Sequence, residues 1–411
     1  MRTFRSFFLV TCIALAIAAH LRGVALAASS DEAAKLRTSL TPFGAERAAS
    51  ADGRIPAWTG VVTRAGYRDD PFAKESPVVT ITAKNAAQYA DHLTDGTKAL
   101  LAKYPDYKIV VYPTHRTAVA PQWVYDATFQ NALHGRMNGY QPQGVYGGIP
   151  FPLPATGVEA MWNHILRWRA PSWQYRGPGI QTTADGRHVT TVDVVGDWQM
   201  PYYFKNEQAR FNGEYWLTNI RDLGPPIRTG EAIVGREDLN DDKTRVWVYL
   251  AGQRRTRELP NACCDTPTPA TAGVMAFDEL DNWTGRLDRY DWKIVGKKEL
   301  YVPYNDNGTN SASDLVQAHF LIRIESATSF IASGQFKLRC VPDSGIKSRK
   351  PCFISMKTRG LRYSAIVGML TVSSGRPASC FRSWSGICRE SCNKPRAGTT
   401  CFQVAGTLPR S

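Results

Sequence analysis

Residues 146–169 read YGGIPFPLPATGVEAMWNHILRWR, and the organisation of the chain turns on this stretch. Gly147-Gly148 followed by Pro150, Pro152 and Pro154 forbids helix and regular sheet, because proline lacks an N–H and biases the residue before it toward extended geometry. Thr156 offers a hydroxyl to the free N–H groups of a following helix, the role of an N-cap. From Val158 on, Met161, Trp162, Ile165, Leu166 and Trp168 recur at helical spacing and make one face apolar and aromatic. A kinked loop therefore aims an amphipathic helix at an apolar surface, either an ordinary core or a ligand site.

The chain has 411 residues, enough for one large or two ordinary domains, and carries 11 Trp, 17 Tyr and 16 Phe. Its formal charge of +14 points at first to nucleic acid or an anionic membrane. The location of the charge removes the nucleic-acid reading. Of 50 Lys+Arg, 15 lie from Ile322 on, beside three acidic residues, and three lie in residues 1–28; the remaining 32 face 33 acidic residues. The cysteines divide in the same way. Cys340, Cys352, Cys380, Cys388, Cys392 and Cys401 all fall in the last 72 residues, Cys12 lies near the start, and Cys263-Cys264 are adjacent.

Residues 1–27 read as a secretory signal: Arg2 and Arg5, an apolar run from Phe7 to Ala19, and Ala25-Leu26-Ala27 as a cleavage site. Export to the periplasm as a soluble protein is the expectation, since the run is too short to span a membrane. Ser30 is placed to cap a helix over Asp31–Leu40, and residues 41–77, rich in Gly and Pro, form an extended arm. Val78–Ile81 reads as a strand, short helices follow Thr82 and Thr94, and Ile109–Tyr112 and Gln122–Phe129 read as strands. After the central helix come eight runs of period two: His188–Val195, Trp198–Phe204, Tyr215–Ile220, Ala232–Glu237, Arg245–Leu250, Arg254–Leu259, Arg289–Val295 and Glu299–Tyr304. Short strands with turns this frequent predict a meander of hairpins in one large antiparallel sheet. In the clearest hairpin Val246, Val248 and Leu250 face one way, and Arg254, Arg255 and Arg257 decorate the return.

On the central stretch, the arm, the hairpin motif Gly252-Gln253-Arg254-Arg255 and the segment DLVQAHFL (Asp314–Leu321), the chain resembles the bacterial family called domain of unknown function 1329. The likeness runs from about Asp31 to Leu321. It departs at Leu250-Ala251, where the family more often has Asn-Pro, and at Cys264, where the family has Tyr. The resemblance implies a fold like that of the periplasmic lipoprotein carriers: mainly β with flanking helices, a curved antiparallel sheet or half-barrel, closed by helices over an apolar cavity. At Ile322 the likeness stops, acids vanish, and Ser, Arg and Cys take over, as an out-of-frame reading of a GC-rich gene would give. A disulfide-stapled module is the rival reading. The expected plan is a signal at 1–27, a half-barrel domain at 28–321, incomplete at its C-terminus, and an unstructured basic tail at 322–411.

The chain contains no GxSxG, HExxH, Walker loop or GxGxxG, so no catalytic residue, cofactor or metal ligand is assigned. His164 reads as a helix–aromatic packing or capping residue. The acids Asp238, Asp241 and Asp242, and likewise Asp278, Glu279 and Asp281, read as solvated turns. What remains is aromatic and apolar. Trp162, Ile165, Trp168, Trp198, Tyr202, Trp216, Trp247, Tyr249 and Trp292 are the candidates to line a ligand cavity, and Gly147, Gly148, Pro150 and Pro152 the candidates for a lid. The expected activity is non-covalent carriage of a hydrophobic small molecule, a lipid or a lipoprotein acyl chain, with peripheral membrane contact and no nucleic-acid partner. The alternatives are an envelope protein that partners an outer-membrane or transport component through the arm and Arg254, Arg255 and Arg257, and an envelope hydrolase.

Resequencing the gene around the codons for Leu321 and Ile322 is expected to reveal one inserted or deleted base whose correction restores the family's continuation. An intact frame, with three homogeneous disulfides by mass spectrometry, would instead make the tail a genuine module.

Overall fold

The computed structural model describes residues 27–61, 70–259, 266–271, 273–305 and 316–320, apart from the side chains of Pro269, Glu279 and Asn282. Of the strands beyond residue 320 it describes the backbone alone. The expected signal segment up to residue 26, the pair Cys263-Cys264 and the side chains of the six tail cysteines lie outside the described residues.

Of the four α-helices among the described residues, three are capped by a side chain at their N-terminus. Helix α1 (Ser30–Ala34) begins one residue earlier than expected, with Ser29 and Glu32 forming a capping box. Helix α2 (Asp95–Lys103) is capped by Thr94, whose hydroxyl accepts the Thr97 N–H at 3.2 Å. Helix α3 (Gln122–His134) corrects the strand expected over Gln122–Phe129. Its buried positions Val124, Thr128, Asn131 and Ala132 recur at helical spacing, and this longer rhythm outweighs the brief alternation of Trp123 and Tyr125. Helix α4 (Gly157–Ile165) starts where Thr156 predicts. Glu159 completes the box, its carboxylate accepting the Thr156 N–H at 2.9 Å and the Ala155 N–H at 2.6 Å.

Two short pairs, β1 (Val79–Ile81) with β2 (Ile109–Val111) and β3 (Arg136–Asn138) with β4 (Gln141–Gln143), flank the helices. The main sheet is an antiparallel meander of β5 (Ser172–Thr182), β6 (His188–Gln199), β7 (Glu214–Gly224), β8 (Ala232–Asp238), β9 (Arg245–Leu250) and β10 (Arg255–Glu258), each beside the next. It does not close on itself, and β10 is one edge. The molecule is thus mainly β with few helices, as expected. The runs expected at Arg289–Val295 and Glu299–Tyr304 are one strand, β11 (Tyr290–Pro303). Between them, at Gly296, the pairing shifts register after Ile294 without breaking the strand.

Strand β12 (Thr328–Cys340) runs antiparallel to β11, β13 (Cys352–Met356) and β14 (Val372–Ser373) extend that sheet, and β15 (Thr400–Gln403) and β16 (Gly406–Leu408) pair with β5. A long strand edge presents unpaired N–H and C=O groups that any extended chain can meet. The alternation Phe336-Lys337-Leu338-Arg339-Cys340 suits that role.

The arm is held rather than draped over 41–61. The Arg116 guanidinium donates to the carbonyls of Glu46, Arg47 and Pro56 at 2.6–3.2 Å, and the Trp58 indole N–H donates to the Ala118 carbonyl at 3.1 Å. Ile55 enters a core with Ile81, Leu101, Ile109 and Tyr301.

Candidate functional site

The loop between β4 and α4 is buried from Val145 to Pro152, which places the lid candidates Gly147, Gly148, Pro150 and Pro152 inside the protein. Water is excluded, and side chains take its place. The Asn131 carbonyl oxygen accepts the Tyr146 N–H at 3.0 Å, while its amide donates to the Ile149 carbonyl at 3.2 Å. Thr128 accepts the Ile149 N–H at 2.9 Å, and the Tyr202 hydroxyl donates to the Gly148 carbonyl at 2.8 Å. Asn163, on α4 itself, accepts the Phe151 N–H at 2.8 Å and donates back to its carbonyl at 2.5 Å. Gly148 lies so close to α3 that a Cβ there would collide with the Thr128 amide, and Gly44 of the arm, at φ +82°, meets the Pro152 carbonyl in the same way. The loop is a plug clamped between α3, α4 and the arm.

Seven of the nine candidate lining residues do converge. Trp162, Ile165, Tyr202, Trp216 and Trp292 are buried in one cluster, and Trp168 and Trp198 pack against it. Their rings pack against one another and against other core rings. Trp162 meets Tyr215 edge to face at 5.9 Å, Trp168 meets Trp123 at 5.6 Å and Tyr203 at 5.0 Å, and Trp292 meets Trp283 at 5.4 Å. The indole N–H groups are used structurally: Trp162 donates to the Tyr140 carbonyl at 2.7 Å and Trp292 to the Leu287 carbonyl at 2.8 Å. Trp247 and Tyr249 do not join the cluster. They alternate with Val246 and Val248 along β9, and so occupy the opposite face of the sheet, where Tyr249 is 37% exposed beside Val234.

The core face of the sheet carries two cross-strand rows. The first, Trp173–Trp198–Thr218–Gly235–Val246, runs alongside the aromatic cluster. The second is Tyr175–Gly196–Ile220–Ile233–Val248 and ends on Arg257 of β10. Its first half is covered, with Tyr175 packed beside Val192, Val194 and Ala270. Ile220, which packs against that cover, and Ile233, Val248 and Leu250 beyond it are each partly exposed and form an apolar row on this face. Sequence reasoning followed the large rings and passed over these aliphatics, although the alternation in Val246-Trp247-Val248-Tyr249-Leu250 places them.

A separate open cleft of ≈ 670 Å³ lies at the strand ends, lined by Pro171, Ser172, Pro201, Phe204, Phe211 and Glu214 among others. Two of its acids are occupied, Glu207 with Arg210 at 3.3 Å and Glu214 with Arg236 at 2.6 Å.

A cluster of charges lies behind α4, and it corrects the solvated turn expected at Asp278–Asp281. Asp281 is ion-paired with Arg167 at 2.7 Å and with Arg169, and both arginines are buried. Burial alone would push the Asp281 carboxyl up, but the two guanidinium charges outweigh it and hold the group below its ordinary range. Burial, with the Arg167 charge beside it, pushes the His164 imidazole well down, so it sits neutral. The Arg169 guanidinium also lies 4.9 Å over the Trp216 ring. The Tyr215 hydroxyl donates to Glu237 at 2.9 Å. Burial pushes that carboxyl up to about 7 and Asp241 up to about 7. Asp238, also expected in a solvated turn, is buried and accepts the Asn240 N–H at 2.8 Å. Among the described residues no group of three or more His, Cys, Asp or Glu could hold a metal ion, and no helix is long and apolar enough to cross a membrane.

Residues 80–323 match the family described as "Protein of unknown function (DUF1329)". The chain belongs to this family. The DUF1329 chain is 40% identical over 330 residues to the Uncharacterized protein PA3922 of Pseudomonas aeruginosa, an alignment covering 72% of this chain and 68% of that one. Among solved structures it is similar to a putative outer membrane lipoprotein-sorting protein domain from Vibrio parahaemolyticus (10% identity, TM-score 0.31, 52% of this chain and 71% of that one). It is likewise similar to a DUF1329 family protein from Desulfovibrio piger (13% identity, TM-score 0.28, 61% of this chain and 88% of that one).

The Glu237 carboxyl sets a measurable pH dependence in this DUF1329 protein. Its folded pKa, about 7, lies above the ordinary 4.5, so its contribution to stability is fully present below pH 4.5 and is lost as pH rises through 7. His164 acts in the opposite sense, its depressed pKa removing stability as pH falls below about 6.5. Comparison with Glu237→Gln, which still accepts the Tyr215 hydroxyl, isolates the first effect. Thermal unfolding is expected to show the variant gaining on the wild type by roughly 1–3 kcal/mol between pH 5 and pH 8. A difference that does not change with pH would contradict the assignment.

Proposed function

We propose that the protein is a periplasmic carrier that holds a hydrophobic ligand, a lipid or an acyl chain, non-covalently on the core face of its open sheet. The observation that carries this reading is the second row, where Ile220, Ile233 and Val248 lie directly opposite one another across three strands and stay partly exposed. Side chains placed only to pack would be covered on both flanks, whereas this row is sealed at the Tyr175 end and open at the other. A chain laid along it is half buried. Full burial of a methylene contributes about 0.8 kcal/mol, so half burial gives roughly 0.4, and a dozen methylenes roughly 5 kcal/mol. That corresponds to a dissociation constant between about 0.1 and 1 mM, suited to a ligand that is picked up and passed on.

The aromatic cluster serves this carrier as a rigid end wall. Its rings interlock, and the clamped loop behind it has no slack to open. Uptake on this reading is therefore lateral, over the β9–β10 edge, and needs no lid. The reading is non-catalytic: among the described residues, the dense cluster of buried charge around Asp281 is occupied in joining α4 to the sheet. The signal at 1–27, read from the sequence, supports the periplasmic location.

The delipidated protein is expected to take up a fluorescent fatty acid saturably. Val248→Asp should weaken uptake at least tenfold with the far-UV spectrum unchanged, and Phe204→Ala, in the separate cleft, should leave it unaltered. Absence of saturable uptake, or uptake lost in Phe204→Ala and kept in Val248→Asp, would overturn the proposal.

A further inference from the structure

The apolar row does not end on another apolar side chain. Val248 pairs directly with Arg257, and Leu250 with Arg255, so both arginines stand on the core face where the groove reaches the β10 edge. Strand β10 is exposed along its whole length. Arg254, which precedes it, adopts φ +50°, and that left-handed residue completes the turn out of β9. Three arginines thus fall within four residues, in a body where basic and acidic residues are otherwise balanced. The nearest acid, Glu258, lies opposite Trp247 and so on the other face, where it pairs with Arg245 at 3.1 Å. Arg257 donates to the Gln253 side chain at 3.1 Å, a neutral acceptor, and has no ion pair among the described residues.

We propose that Arg255 and Arg257 recognise the head of the ligand, which is therefore an anionic amphiphile: an apolar chain lying across Val248, Ile233 and Ile220 and ending in a carboxylate or a phosphate monoester at the sheet edge. The inference rests on the carrier reading and extends it. The geometry is that of an amphiphile's own division, with an apolar row of three strands' width closed at one end by Tyr175 and bounded at the other by positive charge. A guanidinium presents paired N–H donors that match the oxygens of a carboxylate or phosphate, so the head is selected by both charge and shape. Apolar contact on a half-covered groove is insensitive to the head, and the arginines would supply the discrimination that the row lacks. Their exposure sets the scale: a solvent-facing ion pair is a modest contributor, so selectivity rather than tight binding is the expected result.

The test uses the full chain and three probes of equal chain length: a saturated fatty acid, the corresponding primary alcohol, and the monoalkyl phosphate. The acid and the phosphate are expected to displace a bound fluorescent alcohol analogue at concentrations roughly three- to tenfold lower than the alcohol does. In the double variant Arg255→Gln/Arg257→Gln that advantage should vanish while alcohol binding stays as in the wild type, and in the wild type raising the salt from about 50 to 500 mM should shrink it. Preference for only one of the two anions names the head. If all three probes bind the wild type alike, or if the double variant keeps the preference, the headgroup inference is overturned and the carrier reading stands. If none binds, the carrier reading itself has failed.

Discussion

A buried irregular loop is possible only if every backbone group it carries finds a partner inside the protein, and this structure is built around meeting that demand. The segment from Val145 to Pro152 is buried, and an unsatisfied buried N–H or C=O costs about 1–3 kcal/mol against a total stability of about 5–15 kcal/mol. Proline removes three donors from residues 150–154 outright. Asn131, Thr128, Asn163 and Tyr202, drawn from α3, α4 and the turn after β6, hold the N–H groups of Tyr146, Gly147, Ile149 and Phe151 and the carbonyls of Gly148, Ile149 and Phe151. Because the same side chains belong to separate elements, satisfying the loop also fixes those elements relative to one another. The aromatic cluster, and with it the end wall of the groove, follows from that arrangement.

The charged cluster behind α4 is a second junction of the same kind. Arg167 and Arg169 leave the end of the helix, Asp281 comes from the segment before β11, and Trp216 and Glu237 come from β7 and β8. A buried ion pair contributes less to stability than its Coulomb energy implies, since desolvation offsets most of it. Removing one partner is costly, however, because it strands a charge. The cluster therefore specifies where α4 sits more than it strengthens the fold. Arg255 and Arg257, on the outer edge, are exposed instead.

Local signals were legible in the sequence wherever a short-range rule governs. Thr156 and Thr94 cap helices because a hydroxyl three residues ahead of a free N–H can reach it. The hairpins from β7 to β10 follow their turns, whereas the run expected as a strand at Trp198–Phe204 ends β6 and turns through Pro201–Tyr203. The failures have one cause, a side chain whose fate is settled by distant partners. Gln122–Phe129 alternates for a few residues like a strand, yet Asn131 and Thr128 must face the loop, and only a helix puts them there. Asp281 looks like any turn acid until two arginines more than 110 residues earlier in the chain meet it. Trp247 and Tyr249 are as aromatic as Trp216, but period two turns them away from the core face. Gly147 and Gly148 read as lid candidates, where glycine would permit motion. Here it permits close contact instead, with α3 pressed against Gly148.

The central claim, that the 146–152 loop is a rigid plug on which the site is built and not a moving lid, is tested most directly by native-state hydrogen exchange. The amides of Tyr146, Gly147, Ile149 and Phe151, which donate to Asn131, Tyr202, Thr128 and Asn163, should exchange only with the global unfolding that releases the strands of the main sheet. Rapid exchange of these amides while the sheet remains protected would show a loop that opens on its own and would contradict the account.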